Sequence, residues 1–225
     1  MIAAQTAAGS SIAGAPVVYG TGVIIAVLVA LPATTTWVGS LVTVAHEGGH
    51  VVLAILSGRG PRDFKVHEST GGGVTEFGGG WGSRPHPGVF VGDITPPMLG
   101  LAGAYLVLAG HAWSLLWAAI VLLLAAWAKA MDFFTGLVVL LAGVGIGWVA
   151  VRGSPDLQTG LAVALVWLMP LGGVRSLADL RLGSDKSDSG RLAHNTWIPR
   201  VVWVAIFWFV AIVCLAAGGA RLLGL

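Results

Sequence analysis

Charge is scarce in this chain. Only 12 Lys or Arg and 10 Asp or Glu occur in 225 residues, whereas about a quarter of a soluble domain's residues are charged. The chain has one cysteine, Cys214, which excludes an intrachain disulfide and leaves the redox compartment open. Residues 1–16 contain no Lys or Arg, so the basic start of a cleavable signal peptide is lacking and the first apolar run is kept as a structural helix. The net charge is only +2, so the sequence pI near 9.0 reflects membrane topology and predicts no nucleic-acid partner. No internal repeat is visible, and no low-complexity tract beyond the glycines.

What fills the chain is apolar: 56% of residues are hydrophobic and the mean hydropathy is +0.87. Several runs approach or exceed the length that crosses a bilayer. We therefore expect an all-α polytopic membrane protein, one domain over 1–225, with about seven transmembrane helices near 17–31, 37–56, 95–110, 113–128, 132–151, 157–172 and 200–217. Polar segments fall at about 58–94 and 173–199. In the first, Phe64-Lys65-Val66-His67 and Gly73-Val74-Thr75-Glu76-Phe77 read as a small glycine-rich β-hairpin. The Gly143-x-Gly145-x-Gly147 spacing follows no strand, so it reads as close helix packing rather than a phosphate loop. Placing the 58–94 segment in the cytoplasm puts Arg59, Arg62, Lys65, Arg84, Lys129, Arg175, Arg181, Lys186, Arg191 and Arg200 inside, with only Arg152 and Arg221 outside. That bias puts the N-terminus in the cytoplasm too. The excess of Arg over Lys, with abundant Ala, Gly and Val, suggests a high-GC bacterium and hence its plasma membrane.

Inside the 37–56 run stands Ala45-His46-Glu47-Gly48-Gly49-His50-Val51, a His-Glu-x-x-His motif. At helical pitch His46 and His50 stack on one face, where two neutral imidazoles can occupy two corners of a zinc tetrahedron. Glu47, about 100° round the helix, can reach a metal-bound water as general base. Three ionisable side chains in an apolar run are costly, and such groups are usually functional.

The motif leaves the third ligand open. Asp63 and Asp93 flank the first polar segment, Asp132 pairs plausibly with Lys129, and Asp156 falls on the far side. Asp179, Asp185 and Asp188 remain, all on the cytoplasmic side. Ser187 is a candidate helix N-cap, so Asp188 can equally stabilise a helix N-terminus. His67, His86, Glu68 and Glu76 read as surface polarity, although any of them could approach a metal.

A helix-borne His46-Glu47-x-x-His50 in a polytopic chain resembles the site-2 protease family of intramembrane zinc metallopeptidases. Ser187-Asp188-Ser189-Gly190-Arg191-Leu192-Ala193, Thr196-x-Ile198-Pro199, Gly71-Gly72-Gly73-Val74-Thr75 and Gly172-Gly173-Val174-Arg175-Ser176-Leu177 are similar to a short actinobacterial branch of that family. The similarity covers most of the chain from residue 37 onward. It implies zinc on His46, His50 and Asp188, with Glu47 as catalytic base. Better-known members carry the third-ligand Asp in an Asn-Pro…Asp-Gly arrangement on a membrane helix. Here Met169-Pro170-Leu171-Gly172-Gly173 lacks the Asn and Asp188-Ser189-Gly190-Arg191 stands apart, so Asp188 must fold back to the membrane boundary.

The expected activity is zinc-dependent cleavage of a transmembrane or membrane-anchored protein substrate near the cytoplasmic face of the lipid bilayer. His194 and Asn195 are the nearby polar candidates for stabilising an oxyanion. Two other readings stay open: a non-catalytic metal- or partner-binding membrane protein of the same fold, and a metal or proton transporter using His46, Glu47 and His50 as a relay. The transporter predicts polar residues lining a path on several other helices.

Overall fold

The computed structural model describes residues 14–56, 61–66, 73–77, 88–127, 133–179 and 187–225. The chain order is α1 (Ala15–Ala30), α2 (Thr35–Leu56), β1 (Pro61–Val66), β2 (Gly73–Phe77), α3 (Gly88–Leu108), α4 (Ala112–Trp127), α5 (Phe133–Arg152), α6 (Pro155–Ala178), α7 (Asp188–Thr196) and α8 (Arg200–Leu223). Strands β1 and β2 pair antiparallel, with Phe64 opposite Thr75 and Val66 opposite Gly73. This two-stranded ribbon lies against α2. His67, Glu68, His86, Lys129, Asp132 and Asp185 lie outside the described residues.

The described residues thus hold eight helices, where the sequence suggests seven. Three are long and apolar enough to cross a membrane: Phe90–Leu108, Pro155–Ala178 and Arg200–Leu223. The apolar stretches Pro16–Ala30, Ala112–Trp127 and Gly136–Arg152 are shorter. Outward side chains on these helices, among them Ile24, Val121, Leu124, Val144 and Phe209, are apolar and exposed, a surface suited to hydrocarbon rather than water.

Three helix boundaries differ from the sequence reading for one physical reason. Helix α3 starts at Gly88 rather than near 95 and carries Pro96 and Pro97 inside it. Each proline removes one N–H and its ring crowds the carbonyl four residues back, so the Gly92 and Asp93 carbonyls lose their helical partners, yet the helix continues. Helix α6 runs through Pro170 and the Gly172-Gly173 pair to Ala178, so residues 173–178 are helical rather than part of a polar segment. A side chain at Gly172 would collide with Val42 of α2, and one at Gly173 would meet Pro97 Cδ at 3.1 Å. These glycines serve close packing between helices, not termination. Helix α8 likewise passes its buried Gly218-Gly219 pair and ends at Leu223. In α5 a Cβ at Gly143 or Gly145 would meet nothing within 4 Å, and of that triplet Gly147 faces a neighbour, Ile120 Cδ1 at 4.0 Å.

A turn with positive φ does occur where the sequence suggests a tight one, before His111. Gly110 has φ +82°, its N–H bonds Val107 O, and the His111 N–H bonds Leu106 O at 2.8 Å. That is the paired closure of a left-handed helix end, a conformation that favours glycine.

Two packing clusters hold the helices that carry the ionisable residues. Helices α2, α3 and α6 meet around Val42, Pro97, Gly100 and Pro170. A second cluster joins Leu177 of α6, Leu192 of α7 and Phe207 and Ala211 of α8, with Phe90 of α3 and Trp203 against it. The Phe90 ring lies 5.8 Å from Trp203 and 5.7 Å from Phe207; such aromatic pairs add about 0.5–1.5 kcal/mol each. The cluster docks the short helix α7 onto the start of α3.

Candidate metal centre

Helix α2 presents His46 and His50 one turn apart, their rings 5.0 Å centre to centre and nearly perpendicular. Across from them, α7 begins with Asp188. Its Oδ2 lies 2.9 Å from His50 Nε2 and 3.2 Å from His46 Nε2. These three donor atoms lie within 4.8 Å of one another, a group that could hold a metal ion. Glu47 is buried, 4% exposed, and its Oε1 is 4.0 Å from His46 Nε2.

Asp188 is delivered there by local chemistry. Ser187 caps α7, its side chain accepting from the Gly190 N–H at 3.3 Å. The same hydroxyl accepts from Arg200 Nη2 at 2.9 Å, which ties the start of α7 to the start of α8. Burial alone would raise the Asp188 carboxyl, but its hydrogen bonds with His46 and His50 outweigh that and hold it well below the ordinary carboxylate range. Ser187→Ala should cost about 1 kcal/mol of stability, the usual worth of such a cap, read as an earlier midpoint when the purified protein is titrated with a denaturing detergent. An unchanged midpoint would mean that α7 is set by Leu192 and the aromatic cluster instead.

The other carboxylates fall into place around this. Asp179, a rival for the third position, is 61% exposed and paired with Arg175 Nε at 2.7 Å, away from the histidines. Asp156 lies exposed in the first turn of α6. His194 is exposed in the last turn of α7. The structure gives neither His194 nor Asn195 a contact with the cluster.

Two residues that the sequence reading left aside stand at the centre. Asp93 is not at the edge of a polar loop but buried in α3, 7% exposed, with Oδ1 3.4 Å from His46 Nδ1. Beside it, Gly92 faces the three donors. A Cβ built on Gly92 would fall 2.6 Å from His46 Nε2, 2.7 Å from Asp188 Oδ2 and closer still to His50 Nε2. The space is thus kept open by the absence of a side chain. The available signal was an aspartate next to a glycine, one turn before Pro96-Pro97, adjoining an apolar run.

No curated protein and no solved structure matches the chain. The profile of the Peptidase M50B-like family matches residues 19–218, a span that includes α2, α3 and α7 and so all of the residues gathered at this centre. The chain therefore belongs to the Peptidase M50B-like family, the family of the site-2 proteases.

Proposed function

We propose that this protein is a zinc-dependent intramembrane endopeptidase that cleaves transmembrane or membrane-anchored proteins. The observation that carries the reading is the convergence of His46 Nε2, His50 Nε2 and Asp188 Oδ2 from two helices, His50 and Asp188 being 138 residues apart, with Glu47 buried alongside. The residues fit the ion. Two imidazole nitrogens and one carboxylate oxygen form a usual catalytic zinc set, with bonds of about 2.0–2.2 Å and a fourth position left for water or substrate. A Cβ at Gly92 would fall within 2.7 Å of all three donors, so glycine at this position leaves the side on which they converge free of carbon.

When bound, zinc would polarise the scissile carbonyl and acidify a water, bringing its pKa toward about 7. The chain's own groups do the rest. Glu47 takes a proton from the attacking water and returns it to the leaving amine as the C–N bond breaks. Asp188 would offset part of the cation's charge and, through Leu192, anchors the site to α8. A helical substrate hides its carbonyls in hydrogen bonds and must unwind first. The ribbon β1–β2, lying against the motif helix, is suited to receive the unwound segment as an added strand.

The topology proposed with this function has about seven spans, the N-terminus in the cytoplasm and the ribbon and α7 on the cytoplasmic side, in a bacterial plasma membrane. The ten-to-two distribution of basic residues supports it. A transporter is disfavoured by the distribution of polar groups. Among the described residues, buried polar side chains are Ser40, Glu47, His50, Asp93 and Ser189; apart from Ser40, these cluster at one site instead of lining a path across the fold.

The test is metal content of the detergent-purified chain. Wild type should carry about one zinc per chain, while His50→Ala and Asp188→Ala should carry almost none at equal protein concentration. Zinc retained in full by Asp188→Ala would move the third ligand elsewhere. No uptake by wild type after reconstitution would sink the zinc reading and leave a non-catalytic member of the family.

A further inference from the structure

We infer that Asp93 is a positioning residue that orients His46 and fixes which of its nitrogens faces the metal; this rests on the zinc-peptidase reading above. Three observations converge on it. Asp93 Oδ1 sits 3.4 Å from His46 Nδ1, on the opposite side of the ring from Nε2, which faces Asp188 at 3.2 Å. Asp93 is 7% exposed in an apolar stretch of α3, and its second oxygen, Oδ2, is buried without a hydrogen-bond partner among the described residues. No Lys or Arg of the described residues reaches it.

A carboxylate buried among apolar helices costs several kcal/mol unless something compensates it. Here the compensation offered is the His46 imidazole, its Nδ1 3.4 Å from Oδ1, and after metal uptake it would also be the charge of the cation beyond it. The arrangement is chemically one-directional. A proton held on Nδ1 by Asp93 leaves the Nε2 lone pair free and aimed at Asp188 and His50. The carboxylate also makes the imidazole a stronger donor, as outer partners of metal-bound histidines do. His46 is met on both nitrogens, by Asp188 from α7 and by Asp93 from α3.

Rigidity makes the positioning effective. Helix α3 packs closely on α2 here, Thr95 lying directly on Gly49, where a Cβ would lie 2.8 Å from Thr95 Cβ. Thr95 is two residues beyond Asp93, so the same contact that locks the two helices fixes the carboxylate against the ring.

The experiment is zinc affinity by competition with a chromophoric chelator, on the full chain in detergent, for wild type, Asp93→Leu, Asp93→Ala and Asp93→Asn. Loss of the carboxylate in Asp93→Leu and Asp93→Ala should weaken zinc by about 10–100-fold, the usual cost of removing such a partner. Asp93→Asn keeps an oxygen acceptor for Nδ1–H and should lose less than either. All four proteins should still bind one zinc at saturation, since Asp93 orients a ligand and is not one. In zinc-loaded protein labelled with ¹⁵N at histidine, the Nδ1-bound proton of His46 should persist in wild type and Asp93→Asn and exchange faster in the other two. Wild-type affinity and an unchanged His46 signal in both Asp93→Leu and Asp93→Ala would overturn the inference while leaving the peptidase reading intact. So would a folded Asp93→Ala that takes up no zinc even at saturation, which would make Asp93 a ligand. A wild type that binds no zinc overturns both.

Discussion

Replacing Glu47 with glutamine should leave the chain folded and fully loaded with zinc, yet slow peptide cleavage by about 10²–10⁴-fold, the range that a general base contributes. Glutamine has nearly the same shape, so the packing around this 4%-exposed side chain is kept. What it loses is the ability to take a proton. His46, His50 and Asp188 are untouched, so the metal stays. The measurement pairs zinc content with cleavage of a fluorogenic transmembrane peptide carrying a helix-destabilising Asn-Gly pair. A glutamine variant that cuts at the parental rate would remove Glu47 from proton transfer. A variant that loses both zinc and cleavage would make Glu47 a structural part of the centre.

Gly92→Ala should have the complementary signature: no zinc, hence no cleavage, in a chain that still folds. The new methyl would enter the gap between the donors, 2.6 Å from His46 Nε2 and 2.7 Å from Asp188 Oδ2, where no carbon can coexist with a shared ion. Gly100 of α3 is packed on Pro170 of α6, which resists a shift of α3 as a whole. Alanine is itself the better helix former by up to about 1 kcal/mol, so the metal-free variant gains helix propensity while losing its ligand pocket. We expect zinc affinity to fall at least about 10³-fold, equivalent to roughly 4 kcal/mol, read by chelator competition. Near-wild-type affinity would show that the histidines swing clear and bind the ion elsewhere. Comparing the two variants separates chemistry from metal retention: one keeps the ion without the reaction, the other keeps neither.

The motif helix was legible in the sequence because its signal is local. His46 and His50 at a spacing of four, inside an apolar run, already define one face and one chemistry. Ser187 as a helix cap was equally legible, for the same reason. The partnership of Asp188 with the histidines was not, since residue spacing alone left Asp188 between cap-side charge and ligand and only the family resemblance favoured the second. Distance along the chain hides such contacts; packing of Leu192 and Phe207 creates them. Asp93 and Gly92 were missed because the helix was read as starting near 95, whereas α3 starts at Gly88. The prolines lie two turns inside it, so a residue read as loop is buried at the centre. The ends of α6 and α8 were misjudged through glycine in the same way. In a chain with this much hydrocarbon-facing surface, glycine more often marks where a neighbouring helix touches than where its own stops.

The separation of Asp188 from His50 also sets an order of events during synthesis. The 138 residues between them take roughly 7–28 s to make at about 5–20 residues per second. Throughout that interval the emerging polypeptide holds its histidines and Glu47 but not the aspartate that completes the donor set, and α8, onto which α7 docks, comes later still. On the proposed reading, the chain would therefore be inserted before its three-residue donor set is complete.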